Sequence, residues 1–134
     1  MLSKILAMTL LITSCTYSFA DSIYITNKNV ETITKEQAKS IITGRTSTYP
    51  NGDEFVVGII NSNTVEADKT FQDLTGKSSR RIMKMWNKKN FSGKGSSPTE
   101  FNTFEELVVW TSKTEGALSL IESDFANTTI KVIE

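Results

Sequence analysis

The sequence predicts an α/β fold with about four strands and crossover helices, and three observations carry that expectation. Short runs of β-branched and aromatic residues recur along the chain. Between them lie segments whose apolar residues fall at helical spacing, most of them introduced by helix-capping residues. Strands and helices alternate, the order that builds a sheet with helices crossing over it.

Ser22 to Thr26 reads as the first strand from its β-branched and aromatic content. Thr34-Lys35-Glu36-Gln37 is a capping box, with Thr at the N-cap and Gln three residues on. The helix it opens carries Ala38, Ile41 and Ile42 on one face and stops at Gly44. Pro50-Asn51-Gly52-Asp53 is a turn. Phe55 to Ile60 is an unbroken apolar run suited to a strand buried on both faces. Asn61 to Thr64 is a loop ending in capping residues, before a helix with Val65, Phe71 and Leu74 that Gly76 closes. Ser78 caps a third helix, with Ile82, Met85 and Trp86 at helical spacing. Phe91 to Pro98 is a glycine- and serine-rich loop. Thr103 to Glu106 is a second capping box, leading into Leu107, Val108 and Trp110. Gly116 precedes a strand over Ala117 to Ile121, and Thr129 to Ile133 is the last strand.

The first 20 residues have the organisation of a signal peptide. Lys4 supplies the positive region, Ile5 to Thr13 the apolar run, and Ser18-Phe19-Ala20 the small-residue exit. Ile12-Thr13-Ser14-Cys15 offers a second processing route, lipidation at Cys15, which would anchor the domain to a membrane. The proportions of the three regions favour cleavage after Ala20. Residues 1–20 are then the signal and 21–134 a single domain, periplasmic or secreted. That domain has no cysteine, 14 basic and 15 acidic residues, and a net charge near −1. The balance argues against a nucleic-acid partner. The chain has no histidine, the commonest general base and metal ligand. Neither a hydrolase triad nor a zinc site is expected, nothing resembles a nucleophile with a positioned base, and no cofactor is implied.

The motif order resembles that of small exported proteins related to the substrate-binding component of phosphate ABC transporters. These resemble a single lobe of a type II periplasmic binding protein. The stretches that carry the likeness are Asn27 after the first strand, Ile33 to Gly44, Tyr49-Pro50-Asn51-Gly52, Phe91-Ser92-Gly93-Lys94-Gly95 with Pro98, and Thr114-Glu115-Gly116-Ala117. The match they mark spans roughly residues 22 to 134, the whole of the expected mature chain. The resemblance implies a three-layer single lobe and a solute-binding role without catalysis, with phosphate or another small anion as ligand.

Relatives of that family hold phosphate with a second lobe and with a Ser-Gly-Thr turn at a helix N-terminus. Counting back from Phe71, those turn positions fall on Val65, Glu66 and Ala67, with Asp68 where an Arg is common. Two carboxylates in a first helical turn suit the helix dipole and repel phosphate. The usual phosphate turn is therefore degenerate. Glu115 replaces the family's Pro before Gly116, and Ser119 replaces its second glycine. The remaining ligand candidates are Ser62, Asn63 and Thr64 in one loop and Lys94, Ser96 and Ser97 in another. Lys77, Arg80, Arg81, Lys84, Lys88 and Lys89 concentrate charge that suits an acidic partner or anionic lipid, but the preferred reading is the solvated face of a helix whose other side, Ile82, Met85 and Trp86, is core. Trp86 and Trp110 are expected in the core, and Glu105 and Glu106 as dipole and capping residues. The alternative to solute binding is a protein-interaction module that has lost its ligand, with an envelope protein or a second copy as partner.

Overall fold

The structure, a computed structural model, describes residues 20–93 and 95–134. The expected signal segment with Cys15, and the candidate Lys94, lie outside the described residues. Among the described residues, five strands form one sheet in the order β3-β2-β4-β1-β5. β1 (Ser22–Thr26) is followed by α1 (Lys35–Ile42), then β2 (Val56–Ile60). Two helices, α2 (Val65–Thr75) and α3 (Ser79–Phe91), lead to β3 (Thr99–Phe101). α4 (Phe104–Lys113) returns the chain to β4 (Ala117–Glu122), and β5 (Lys131–Val132) ends the sheet.

β2 runs parallel to both β3 and β4, because each connection crosses over through helices. β1 lies antiparallel to β4 from Ser22 opposite Glu122 to Thr26 opposite Leu118, and β5 pairs antiparallel along its other edge. Side chains alternate between the two faces. Tyr24, Val57, Ile59, Leu118 and Leu120 meet Ile41, Ile42, Phe71, Ile82 and Trp86 of α1, α2 and α3. Ile25, Ile60 and Ile121 meet Phe104, Leu107 and Val108 of α4 on the opposite face. The result is the expected three-layer α/β lobe.

The caps follow the sequence. Thr34 accepts from the Gln37 amide, and the Gln37 side chain accepts in return from the Thr34 amide. Thr64 and Ser78 cap α2 and α3 through the amides of Ala67 and Arg81. At α4 one half of the expected box forms, the Glu106 amide donating to Thr103 Oγ1. Gly44 and Gly76 end their helices with φ of 77° and 74°.

Three expectations need correction. β3 adds a fifth strand inside a segment with no strand signature. The last strand covers two residues, since only Lys131 and Val132 reach the β1 edge. Val65 is not a core residue: as the first residue of α2 it points outward and is 83% exposed.

Candidate functional site

The two groups of candidate ligands lie at opposite ends of the sheet. Ser62, Asn63 and Thr64 follow β2, at the C-terminal edge of the parallel strands. Ser96 and Ser97 precede β3, which runs parallel to β2 with Gly58 opposite Thr99. That register places them level with the start of β2, where they share a hollow with Glu54, Val56 and Lys89. Ser62 and Asn63 line a different, open hollow of about 850 Å³ with Arg80, Lys84, Asn87 and Glu100. No single ligand of phosphate size spans both.

The loop after β2 has few donors left for a ligand. The Ser62 amide donates to Glu100 Oε1 at 2.8 Å, and the Asn63 amide to Asn61 Oδ1 at 3.0 Å. The Thr64 amide donates to the Asn61 carbonyl at 3.0 Å. Thr64 Oγ1 donates to the same carbonyl and accepts from the Ala67 amide, so this hydroxyl is consumed as a helix cap. The expected acidic first turn is present as Glu66 and Asp68. Asp68 joins α2 to α3, its Oδ1 accepting from the Ser79 amide at 3.0 Å. Glu100 did not stand out in the sequence: only the parallel pairing of β3 with β2 brings its carboxylate to the loop.

At the other end of the sheet, Ser97 Oγ accepts from Asn90 Nδ2 at 3.2 Å, and Ser96 is exposed. Lys89 is occupied: its ammonium donates to the Gly44 carbonyl and sits 5.5 Å from the Trp86 ring. Trp86 is a core residue as expected, its indole N–H donating to the Ile42 carbonyl at 2.9 Å. Trp110 is half-buried, packed on Phe101 with ring centroids 5.3 Å apart.

Several stretches that carry the family resemblance converge at this same N-terminal edge, and they do so as scaffold. Asn27 Nδ2 donates to the Thr111 and Ser112 carbonyls at 3.1 Å each, satisfying the otherwise unpaired end of α4. Its Oδ1 accepts from the Asn29 amide, and its own amide donates to the Ala117 carbonyl. The Tyr49 hydroxyl donates to the Gly116 carbonyl at 2.9 Å. Ser119, which replaces the family's second glycine, shares a buried 2.7 Å hydrogen bond with Thr111 Oγ1 and ties β4 to α4.

Titration follows the same structural pattern. Burial pushes the Tyr24 and Tyr49 hydroxyls well above the usual tyrosine range, and both donate to backbone carbonyls. Asp73 is held below the usual carboxylate range by hydrogen bonds from Ser22 and then Lys69. This pair fastens the start of β1 to α2 at the rim of a third hollow, between α1 and α2. Among the described residues no group of three carboxylates is placed to hold a metal ion, and no helix is long and apolar enough to cross a membrane.

No family model matches the sequence, and no curated protein matches it. The fold does match solved structures. One is an ABC-type phosphate transport receptor from Vibrio cholerae, with a TM-score of 0.61 and 15% identity over 86% of this chain and 46% of that one. Another is PstS from Borrelia burgdorferi, with a TM-score of 0.60 and 15% identity over 86% of this chain and 47% of that one. The chain spans less than half the length of either. Its fold is thus that of about one half of these proteins, as the motif order implies.

Proposed function

We propose that the chain is a non-catalytic binding domain of the cell envelope, of the solute-binding type, that meets small anions such as phosphate weakly. The observation that carries this reading is the Glu100 carboxylate on the Ser62 amide. In an open α/β sheet the ligand position lies beyond the C-terminal ends of the parallel strands. Here that position already holds a fixed anion, with Glu66 and Asp68 in the first turn of the adjoining helix. Arg80 and Lys84 of the same hollow are left as the groups that attract an incoming anion. A grip by two exposed side chains leaves the ligand largely solvated.

Calorimetric titration of the mature domain with phosphate at low salt tests the proposal. The expected result is no saturation below millimolar phosphate, with tighter binding in Glu100→Gln, where the fixed charge is gone. Saturable micromolar binding to the unaltered protein overturns it. A second reading, an interaction module facing an envelope protein or a second copy, is supported by Val65, exposed two residues beyond Asn63. Sedimentation that shows a concentration-dependent dimer, abolished by Val65→Glu, would favour it.

A further inference from the structure

We propose that the outer stripe of α3 is a docking surface for an anionic phospholipid membrane. Residues 77–94 contain seven of the chain's 15 basic residues and no acidic one. The rest of residues 21–134 holds seven bases against 15 acids, so charge is segregated instead of mixed. At roughly 100° per residue, Arg80, Lys84, Lys88 and Phe91 fall within about 80° of one another on the helix, with Arg81 at the border. This stripe lies opposite Ile82 and Trp86, the side chains that bury the other face. All four cations are exposed. Among the described residues the ion pair present is Lys69–Asp73, and none of these four takes part in one. Phe91 is 97% exposed at the end of the stripe.

A membrane fits this arrangement better than an acidic polypeptide does. The cations form a straight row about 12 Å long on a convex helix. They need no complementary shape, only a flat layer of negative charge. Phe91 projects from the same stripe, where the boundary of headgroups and acyl chains accepts an aromatic ring. The acidic remainder of the domain is repelled by the same layer, so the attraction also fixes the orientation.

Vesicle co-sedimentation of the exported, processed protein tests the inference, with phosphatidylcholine vesicles that either contain or lack phosphatidylglycerol. The expected result is binding to the phosphatidylglycerol vesicles alone, released by added salt. Each cation near an anionic surface contributes about fivefold in partition, so R81E/K88E is expected to lose at least about 25-fold. F91S is expected to lose about tenfold. Both variants should keep the original thermal midpoint, since all three residues point to solvent. Equal partition onto both vesicle types, or unchanged partition in either variant, overturns the inference. So does displacement by poly-glutamate with no dependence on Phe91, which would identify an acidic polypeptide as the partner. Arg81, Lys88 and Phe91 lie outside the hollow that holds Arg80 and Glu100. A negative result here therefore leaves the anion reading standing, and a negative phosphate titration leaves this one standing.

Discussion

Gly116→Ala separates two costs that a glycine can hide. Gly116 has φ of 75°, and a Cβ built there comes 2.7 Å from the Glu54 carbonyl oxygen. The left-handed conformation alone costs a non-glycine residue about 1 kcal/mol. The close approach adds a second cost, because the obstructing atom is backbone and cannot swing aside. Relief must come from moving β4 away from the segment that enters β2. That motion strains two bonds to the Gly116 carbonyl, from the Val56 amide at 3.0 Å and from the Tyr49 hydroxyl at 2.9 Å. At about 1 kcal/mol each, the total loss reaches about 3 kcal/mol. Gly76→Ala is the control: its φ is 74° but nothing lies within 4 Å of the added methyl. It should lose about 1 kcal/mol. Urea unfolding followed by tryptophan fluorescence reads both, and the variants should differ in midpoint by about 1 M. Equal midpoints would refute the claim that the close approach matters.

Asn27→Ala strips partners from two carbonyls at the end of α4 and from the Asn29 amide, and should cost about 2–4 kcal/mol by urea unfolding. Asn27→Asp, which faces those carbonyls with an acceptor, should be no better. Raising the pH should unfold the protein through Tyr24 and Tyr49. Their folded pKa values lie above the ordinary value of about 10, so their contribution is complete below pH 10 and declines as the pH rises beyond it. Each tyrosine adds about 1.4 kcal/mol per pH unit to that slope, and Tyr24→Phe should halve it in an alkaline titration of stability. Asp73 has the opposite sign. Its folded pKa is depressed, so its contribution is present above about pH 4 and is lost as the pH falls below that. The carboxylate is 47% exposed, so the loss should stay under about 1 kcal/mol, and Asp73→Asn should remove it from the acid limb of the melting curve.

Local chemistry made most of the elements legible. Thr34, Thr64, Ser78 and Thr103 each mark a helix start by a hydroxyl that accepts from an amide three residues on, a relation contained within four consecutive residues. The β-branched and aromatic content of β1 and the apolar run of β2 are equally readable. Thr99-Glu100-Phe101 was not, because two of its three residues are exposed and its pairing depends on a strand about 40 residues earlier. The candidate site suffered from the same blindness to register. Ser62–Thr64 and Ser96–Ser97 were grouped by their hydroxyls, yet one loop leaves a parallel strand and the other enters its neighbour. Parallel pairing puts such loops at opposite ends of a sheet. Lys89 matched the pattern of a free surface cation, but the Gly44 carbonyl and the Trp86 ring hold it.

The place of β1 has a consequence for how the chain acquires its shape. This strand opens the domain, yet it lies inside the sheet between β4 and β5, and its partners on β4 are about 90 to 100 residues away. Pairing over such separations must close a long loop before any contact rewards it, which slows folding. Until residues 117–122 are available, Ile25 has no neighbouring strand to cover its backbone. A chain emerging from its N-terminus therefore stays open until nearly all of it is through, and then zips along β1 and β4 together.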